Sequence, residues 1–480
     1  MPTILGANSV RDTGYNVANS LRFDAASSAK ITRTISSSGS TKIFTTSFWM
    51  KLSAYGTSDA MPFGVDPDES FGNNFVTMEI NSDRKMRLDA YISGAYVFRL
   101  RTKRKFRDES AFYHIVFAVD TSQSTEANRV RLYVNGVEET DFESTSYPSL
   151  NTDININNSG NIINFGGRSG TFFPGYLCEV AYIDGAQLAA TDFGEFDSDS
   201  PTHWKPIDFK NDVTFGTNGS YLEFKDSSAL GDDTSGNGND FSLTNLAAID
   251  QTTDTCTNNF CTHNALIDDR PTYSEGNLDL SFAVDGTQLN AGGTIGFSSG
   301  KWYWEHKIIS SGNTHYLGIK SANSDLESTS GSSGTPSMYY TNGGNKVYNA
   351  SSGGSSYGDT FSNNDIIGVA VDLDNNAIWF SKNGTWQNSA TQTEVENGTT
   401  TNAAFSGTSS SDGFPSSQIY LPWIVGQKGG SPFTMTTNFG NPTFSISSGN
   451  SDSEGFGNFE YAVPSGYFAI CTKNLAEYGG

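Results

Sequence analysis

Basic side chains are scarce in this sequence: 480 residues carry 29 lysines and arginines against 52 acidic residues, a formal net charge of -23. Duplex affinity comes largely from neutralising phosphates, so a general nucleic-acid binder is excluded, and the same balance opposes adsorption to anionic membranes. Long apolar runs are missing as well. Nothing approaches the roughly eighteen uninterrupted apolar residues of a membrane helix, and Met1-Pro2-Thr3-Ile4-Leu5 leads into a polar stretch with no charged n-region. The expectation is a soluble chain with no membrane insertion and no export signal. Cysteine numbers only 4, too few for a disulfide frame, so stability must come from cores. Cys178 and Cys471 lie in apolar, strand-like contexts and read as buried thiols. Cys256 and Cys261 lack a partnering Cys-x-x-Cys or His-x-His, which argues against zinc and leaves a local disulfide or two free thiols open. Charged residues, at 17%, fall below the quarter usual in soluble proteins, so the composition of long helices is absent too. Helical bundles and coiled coils are excluded.

What remains is the vocabulary of β-structure: 50 glycines, 13% aromatics, and abundant Ser, Thr and Asn. At roughly 100 to 200 residues per domain, the length predicts two to four domains. Strand-like alternation recurs about every eight to twelve residues between Asn-Gly or Gly-rich turns, the pattern of sandwiches and jelly rolls. Residues 21–187 form one block, with Phe44-Thr45-Thr46-Ser47-Phe48-Trp49-Met50-Lys51-Leu52 as an aromatic strand. Val130-Arg131-Leu132-Tyr133-Val134 followed by Asn135-Gly136 is its clearest hairpin. Residues 273–480 form a second block. Residues 188–272 are a connector, too long for a plain linker and too weakly periodic for a large core, expected to add one or two strands to the first block. Residues 1–20 have little apolar pattern and read as an N-terminal attachment segment.

Phe44 to Leu52, then Tyr113-His114-Ile115-Val116, then Leu132 to Gly136 and the closing Gly175-Tyr176-Leu177-Cys178-Glu179-Val180-Ala181-Tyr182-Ile183-Asp184 resemble, in order, the strands of a LamG or concanavalin-like jelly roll. Lys301-Trp302-Tyr303-Trp304-Glu305, Tyr316-Leu317-Gly318-Ile319, Asp365 to Asp372, Ile378 to Gly384, Tyr420-Leu421-Pro422-Trp423 and Thr437-Asn438-Phe439-Gly440 resemble the successive strands of a SPRY domain. The fold class expected is therefore all-β: two tandem concanavalin-like jelly-roll β-sandwiches, LamG-like then SPRY-like, with a β-containing connector. The whole chain, from its MPTILGANSV opening to its VPSGYFAICTKNL ending, resembles virion proteins of tailed phages, of the tail-fibre, head-fibre or decoration kind. That resemblance implies a place on the virion surface after synthesis in the host cytoplasm, other virion proteins and a host-surface glycan or receptor as partners, and a homo-oligomer, with a trimer expected of fibres.

The candidate chemistry is sparse. Glu139-Thr140-Asp141-Phe142-Glu143 alternates acids along one strand, as a retaining glucanase pair requires. It follows the Asn135-Gly136 hairpin too closely to lie on the concave face expected of that fold, so a solvated strand face is favoured. The five histidines, His114, His203, His263, His306 and His315, have no Gly-x-Ser-x-Gly elbow, and His114 and His306 read as structural. No catalytic residue is therefore assigned. Asp233, Ser235, Asn237 and Asp240 set oxygen side chains around glycines as a calcium loop does, but Thr244 stands where a bidentate carboxylate belongs; an Asn-Gly turn is the default, with calcium as the alternative cofactor. Nine of the 29 basic residues fall between Arg84 and Arg107 with Asp89 as the sole acid among them; Arg99, Arg101, Lys103, Arg104, Lys105 and Arg107 form a candidate surface for an anionic partner, or a strand face balanced by nearby acids. Tyr339, Tyr340, Tyr348, Tyr357 and Trp386 fall in loop-like SPRY segments, where sugars or partners stack on exposed rings. The leading expectation is a noncatalytic adhesin. A structural decoration role docking through the basic surface is the alternative, and a hydrolase using Glu139 and Glu143 comes last.

Overall fold

The computed structural model describes residues 3–5, 14–53, 58–70, 72–282, 288–312, 314–328, 334–349, 354–426 and 432–479. It is all-β and divides into two compact units: Thr13–Thr257, and Met1–Asp12 together with Asn258–Gly480. The boundary between the units falls at 257/258, inside the 188–272 connector, most of which joins the first unit. Of the first twenty residues, 1–2 and 6–13 lie outside the described ones, while Ile4 bridges Ile295 within the second unit.

In the Thr13–Thr257 unit, two eight-stranded antiparallel sheets enclose one core. The first runs, strand by strand, Val137–Glu138, Val130–Val134, Tyr113–Asp120, Ile43–Leu52, Gly175–Asp184, Ser20–Phe23 and Gln251–Thr252, with Ser220–Leu222 also paired to Gly175–Asp184. The second runs Phe142–Ser146, Ala95–Lys105, Lys85–Ile92, Asn74–Ile80, Ala60–Asp66, Ile162–Phe165, Lys30–Thr34 and Ser242–Thr244. Period-two alternation sends Phe44, Phe48, Phe63, Met78, Leu88 and Phe117 inward, where Phe44 meets Phe117 edge-on at 5.1 Å.

The connector has a role its weak periodicity hid. Phe193, Trp204, Phe209 and Phe215 cover the outer face of the first sheet, packing on Trp49, Val116, Cys178 and Ala181. Its residues read as irregular because they bury rings from loops and short strands rather than from one periodic element. The Asn135-Gly136 turn takes φ values of 48° and 80°, and a Cβ on Gly136 would lie 2.2 Å from the Trp204 ring, so glycine is required there twice over. His114 sits under this cover, 4.8 Å from Trp49 and 5.8 Å from Trp204 between ring centroids. Its Nδ1 accepts from Trp204 Nε1 at 3.0 Å, which leaves the proton on Nε2 to meet Ser47 Oγ at 3.0 Å.

In the second unit, a nine-stranded sheet centred on Lys301–Ser310 and Ile366–Asp372 faces a six-stranded sheet centred on Tyr420–Gly426 and His315–Ser321. Trp302, Trp304, Ile319, Tyr340 and Phe380 fill the space between them. Phe459, Tyr467 and Cys471 from the last residues cover the outer face of the larger sheet, over Tyr303 and Trp379.

Candidate functional site

With the first sheet of the Thr13–Thr257 unit covered, its second sheet keeps an outer face on which a shallow depression opens. The strands Asn74–Ile80, Lys85–Ile92 and Ala95–Lys105 are neighbours, and a tight turn through Ser93 and Gly94, with φ 52° and 85°, joins the last two. That turn sets Tyr91 opposite Tyr96 and Asp89 opposite Arg99, while the adjacent pairing sets Phe75 opposite Tyr91 and Glu79 opposite Arg87. The depression has a volume of about 410 Å³ and is lined by Gly72, Asn73, Phe75, Glu79, Arg87, Asp89, Tyr91 and Tyr96.

Its wall is aromatic. Phe75 stacks on Tyr91 at 5.4 Å, Tyr91 meets Tyr96 edge-on at 4.8 Å, and Tyr96 is 46% exposed. The Arg99 guanidinium lies 3.5 Å from the Tyr96 ring centroid, which fixes that ring from one side. Its floor is ionic. Arg99 Nε and Nη2 donate to Asp89 Oδ1 and Oδ2 at 2.9 and 3.0 Å, Arg87 Nε lies 2.9 Å from Asp89 Oδ2, and Arg87 Nη2 donates to Glu79. Burial, with Asp89 and Asp59 nearby, raises the Glu79 carboxyl above its ordinary range despite Arg87. Behind the depression, the fully buried Arg168 pairs with Asp66 and sits 5.1 Å from the Phe75 ring. Two carboxylates and two guanidiniums give the floor no net charge, and rings flank it. Such a surface stacks an apolar face and exchanges hydrogen bonds with hydroxyls.

None of these residues was singled out from sequence except within the basic cluster. The signal was there in the Lys85-Met86-Arg87-Leu88-Asp89-Ala90-Tyr91 alternation, which puts every polar or aromatic side chain on one face.

The candidate basic surface takes a different form in the fold. Phe142–Ser146 pairs with Ala95–Lys105, bringing the acidic run alongside the basic one. Lys103 Nζ reaches Asp141 Oδ1 at 2.6 Å, Arg104 Nε reaches Glu139 Oε2 at 2.7 Å, Arg101 Nη2 reaches Asp83 Oδ2 at 2.6 Å, and Lys85 Nζ reaches Glu143 Oε2 at 2.6 Å. Arg99 belongs to Asp89, and Lys105 and Arg107 are exposed. Of the two readings of this basic run, a docking surface or a strand face balanced by nearby acids, the ion pairs of Arg99, Arg101, Lys103 and Arg104 favour the second. The pairing of Glu139 and Glu143 with Arg104 and Lys85 likewise gives these acids a charge-balancing place at the sheet edge.

The loop-aromatic reading is corrected. Tyr339 and Tyr340 lie in the strand Ser337–Thr341 and are 0% exposed, Tyr340 packing on Phe380 at 5.3 Å and Tyr339 on Tyr316 at 5.8 Å. Tyr357 is buried against Tyr340 and Phe380, and Trp386 is buried with Nε1 donating to Gln392 Oε1 at 2.7 Å. Tyr348, half-buried in Asn345–Tyr348, donates to the Ser410 and Gly413 carbonyls at 3.2 Å. These rings hold the SPRY sandwich together, because two-residue alternation in adjoining strands faces them to one packed layer or the other.

The Asp233 loop is a closed turn. Asp233 Oδ1 accepts from the Tyr221 and Ser235 amides at 2.8 and 2.9 Å, and Oδ2 from Ser235 Oγ and the Asn239 amide at 2.9 and 2.8 Å. Asp240 Oδ1 accepts from the Asp233 amide at 2.9 Å, and Asn237 Nδ2 donates to the Gly216 and Gly219 carbonyls. Both carboxylate oxygens of Asp233 are thus occupied by the loop's own donors. No group of three metal-ligating side chains gathers among the described residues. The four cysteines are free thiols, and the sulfurs of Cys178 and Cys256 lie 3.9 Å apart.

Residues 23–191 match the concanavalin A-like lectin/glucanases superfamily, and residues 301–410 match the SPRY domain. A Ran-binding proteins 9/10 homolog of Drosophila melanogaster is 31% identical over 119 residues, 23% of this chain; the chain spans 12% of the length of that relative. Among solved structures, domains LG4-5 of the mouse laminin alpha1 chain are 8% identical with a TM-score of 0.30, covering 86% of this chain and 84% of that one. The SPRY domain of human HERC1 is 16% identical with a TM-score of 0.25, covering 33% of this chain and 87% of that one. The chain thus carries a concanavalin A-like domain followed by a SPRY domain, both jelly-roll sandwiches.

Proposed function

We propose that this chain is a noncatalytic recognition protein of a tailed-phage virion, an adhesin that takes a host-surface glycan in the depression lined by Phe75, Glu79, Arg87, Asp89, Tyr91 and Tyr96. The observation that carries the reading is an open, ring-walled floor of balanced charge on the one outer sheet face of the first unit that the connector leaves uncovered. Arg87 bridges Glu79 and Asp89, which suits these carboxylates to accepting sugar hydroxyls more than to shuttling protons. The virion setting is supported by the resemblance of the chain's opening and closing segments, and a homo-oligomer would turn weak sites into avidity. The test incubates purified protein with host cells and with their extracted surface polysaccharide, measuring bound protein and released sugar together. Saturable binding without release, weakened at least about tenfold by Tyr96→Ala, is the expected result, on the scale of a lost stacking contact in a mixed site. Sugar release, or binding indifferent to Tyr96, overturns it.

A further inference from the structure

Cys178 and Cys256 lie 78 positions apart in sequence, yet their sulfurs stand 3.9 Å from each other inside the Thr13–Thr257 unit. Cys178 is fully buried in the strand Gly175–Asp184, where the register shifts between Cys178 and Ala181. Cys256 is half-buried, just beyond the strand Gln251–Thr252. The segment around Cys256 is pinned on both sides. Ser20 Oγ donates to the Asp254 carbonyl at 2.6 Å, the buried Lys51 pairs with Asp254 at 2.9 Å, and the Val17 amide donates to Thr257 Oγ1 at 3.1 Å. The two sulfurs are therefore held in contact, and closing from there to a bond of about 2.05 Å needs side-chain rotation rather than refolding.

We infer that Cys178 and Cys256 form a latent disulfide site, closed by exchange with a low-molecular-weight disulfide such as oxidised glutathione, that staples the covering segment to the sandwich. The more accessible Cys256, as thiolate, attacks one sulfur of the small disulfide and expels a small thiolate. Cys178, as thiolate, then attacks Cys256 Sγ of the mixed disulfide and expels the second. Two protein thiols are oxidised, one small disulfide is reduced to two thiols, and the protons released by the cysteines pass to the leaving groups. The ring closed encloses residues 179–255, which include the whole cover of Phe193, Trp204, Phe209 and Phe215. Cross-linking so long a segment removes much of the freedom it gains on unfolding. Burial raises the Cys256 thiol well above its ordinary value, so exchange accelerates as pH rises. Cys261 has different company: its sulfur lies 3.6 Å from the Thr262 carbonyl and 3.8 Å from Thr294 Oγ1.

The inference is independent of the ligand reading. The full chain is incubated at pH 8 with oxidised or reduced glutathione, alkylated, digested without reductant and mapped by mass spectrometry, with thermal unfolding followed in parallel. The expected result is a Cys178–Cys256 linked peptide, Cys261 and Cys471 alkylated once the protein is unfolded, and an upward Tm shift of about 10 °C that dithiothreitol reverses. Cys256→Ser, and separately Cys178→Val, should match the reduced wild type in Tm and show no shift on oxidation. Both cysteines remaining alkylatable after oxidation, a link from Cys256 to Cys261, or a cross-link without a Tm gain each overturns the inference.

Discussion

Arg104 Nε donates to Glu139 Oε2 across 2.7 Å, and that contact joins the most basic stretch of the chain to its alternating acids. Each run by itself invites a functional reading, one as an anion-binding surface and the other as a catalytic pair. Antiparallel pairing of Phe142–Ser146 with Ala95–Lys105 turns them into each other's counterions. One consequence can be measured. Simultaneous charge reversal at Arg101, Lys103, Arg104 and Lys105 should leave glycan binding within about twofold of wild type, since exposed pairs contribute little energy. Wild-type attachment to particles that vanishes on this reversal would restore the docking role.

Tyr340→Ala should destabilise the SPRY unit by about 3 to 5 kcal/mol, because it empties a fully buried site between Phe361 and Phe380. Tyr340→Phe should cost about 1 kcal/mol, through loss of the bond its hydroxyl donates to the Asp359 carbonyl. Denaturant unfolding distinguishes these from a ligand role: the Phe variant should bind like wild type.

The histidines give stability a definite sign with pH. Burial pushes His114 and His263 down to about 3 and His306 well below its ordinary value. A group depressed in the folded state contributes its stability above its unfolded value, near 6.5, and loses it as pH falls toward the folded one. Each unit should therefore weaken from about pH 6.5 downward, by up to about 1.4 kcal/mol per pH unit per histidine. His114→Gln should flatten that slope in the first unit. Glu179 runs the other way: burial raises it to about 7 while Tyr221 donates to it, so its contribution is full below its unfolded value near 4.5 and is lost as pH rises through 7. In a His114→Gln background, Glu179→Gln should then lessen the loss of stability between pH 5 and pH 8, and an unchanged loss would refute the assignment.

Calcium provides a fourth test. With Asp233 saturated by its own loop, millimolar calcium should shift the first unit's Tm by under about 1 °C, because an ion that does not bind the folded state cannot stabilise it. Asp233→Ala should lower that Tm with or without calcium by breaking the turn. A calcium-dependent rise in the wild type, absent in the variant, would reinstate the cation site.

Strand alternation and the Asn135-Gly136 turn made the all-β class legible in the sequence, because period two and turn chemistry are local properties; the two sandwiches were legible through the resemblance of the ordered strand motifs to LamG and SPRY domains. Alternation also says which face a side chain takes. It does not say what lies over that face. Tyr339 and Tyr340 look like loop aromatics beside a glycine turn until strands from elsewhere bury them, and Trp204 looks like part of a linker until it closes over His114. Partnership across strands is likewise decided in three dimensions. Arg104 and Glu139 are 35 residues apart and Cys178 and Cys256 are 78 apart, separations that no spacing rule connects. The sequence by itself determined the strands and the fold class; the tertiary structure decided which charges were spent on each other, which rings were covered, and which sheet face stayed open.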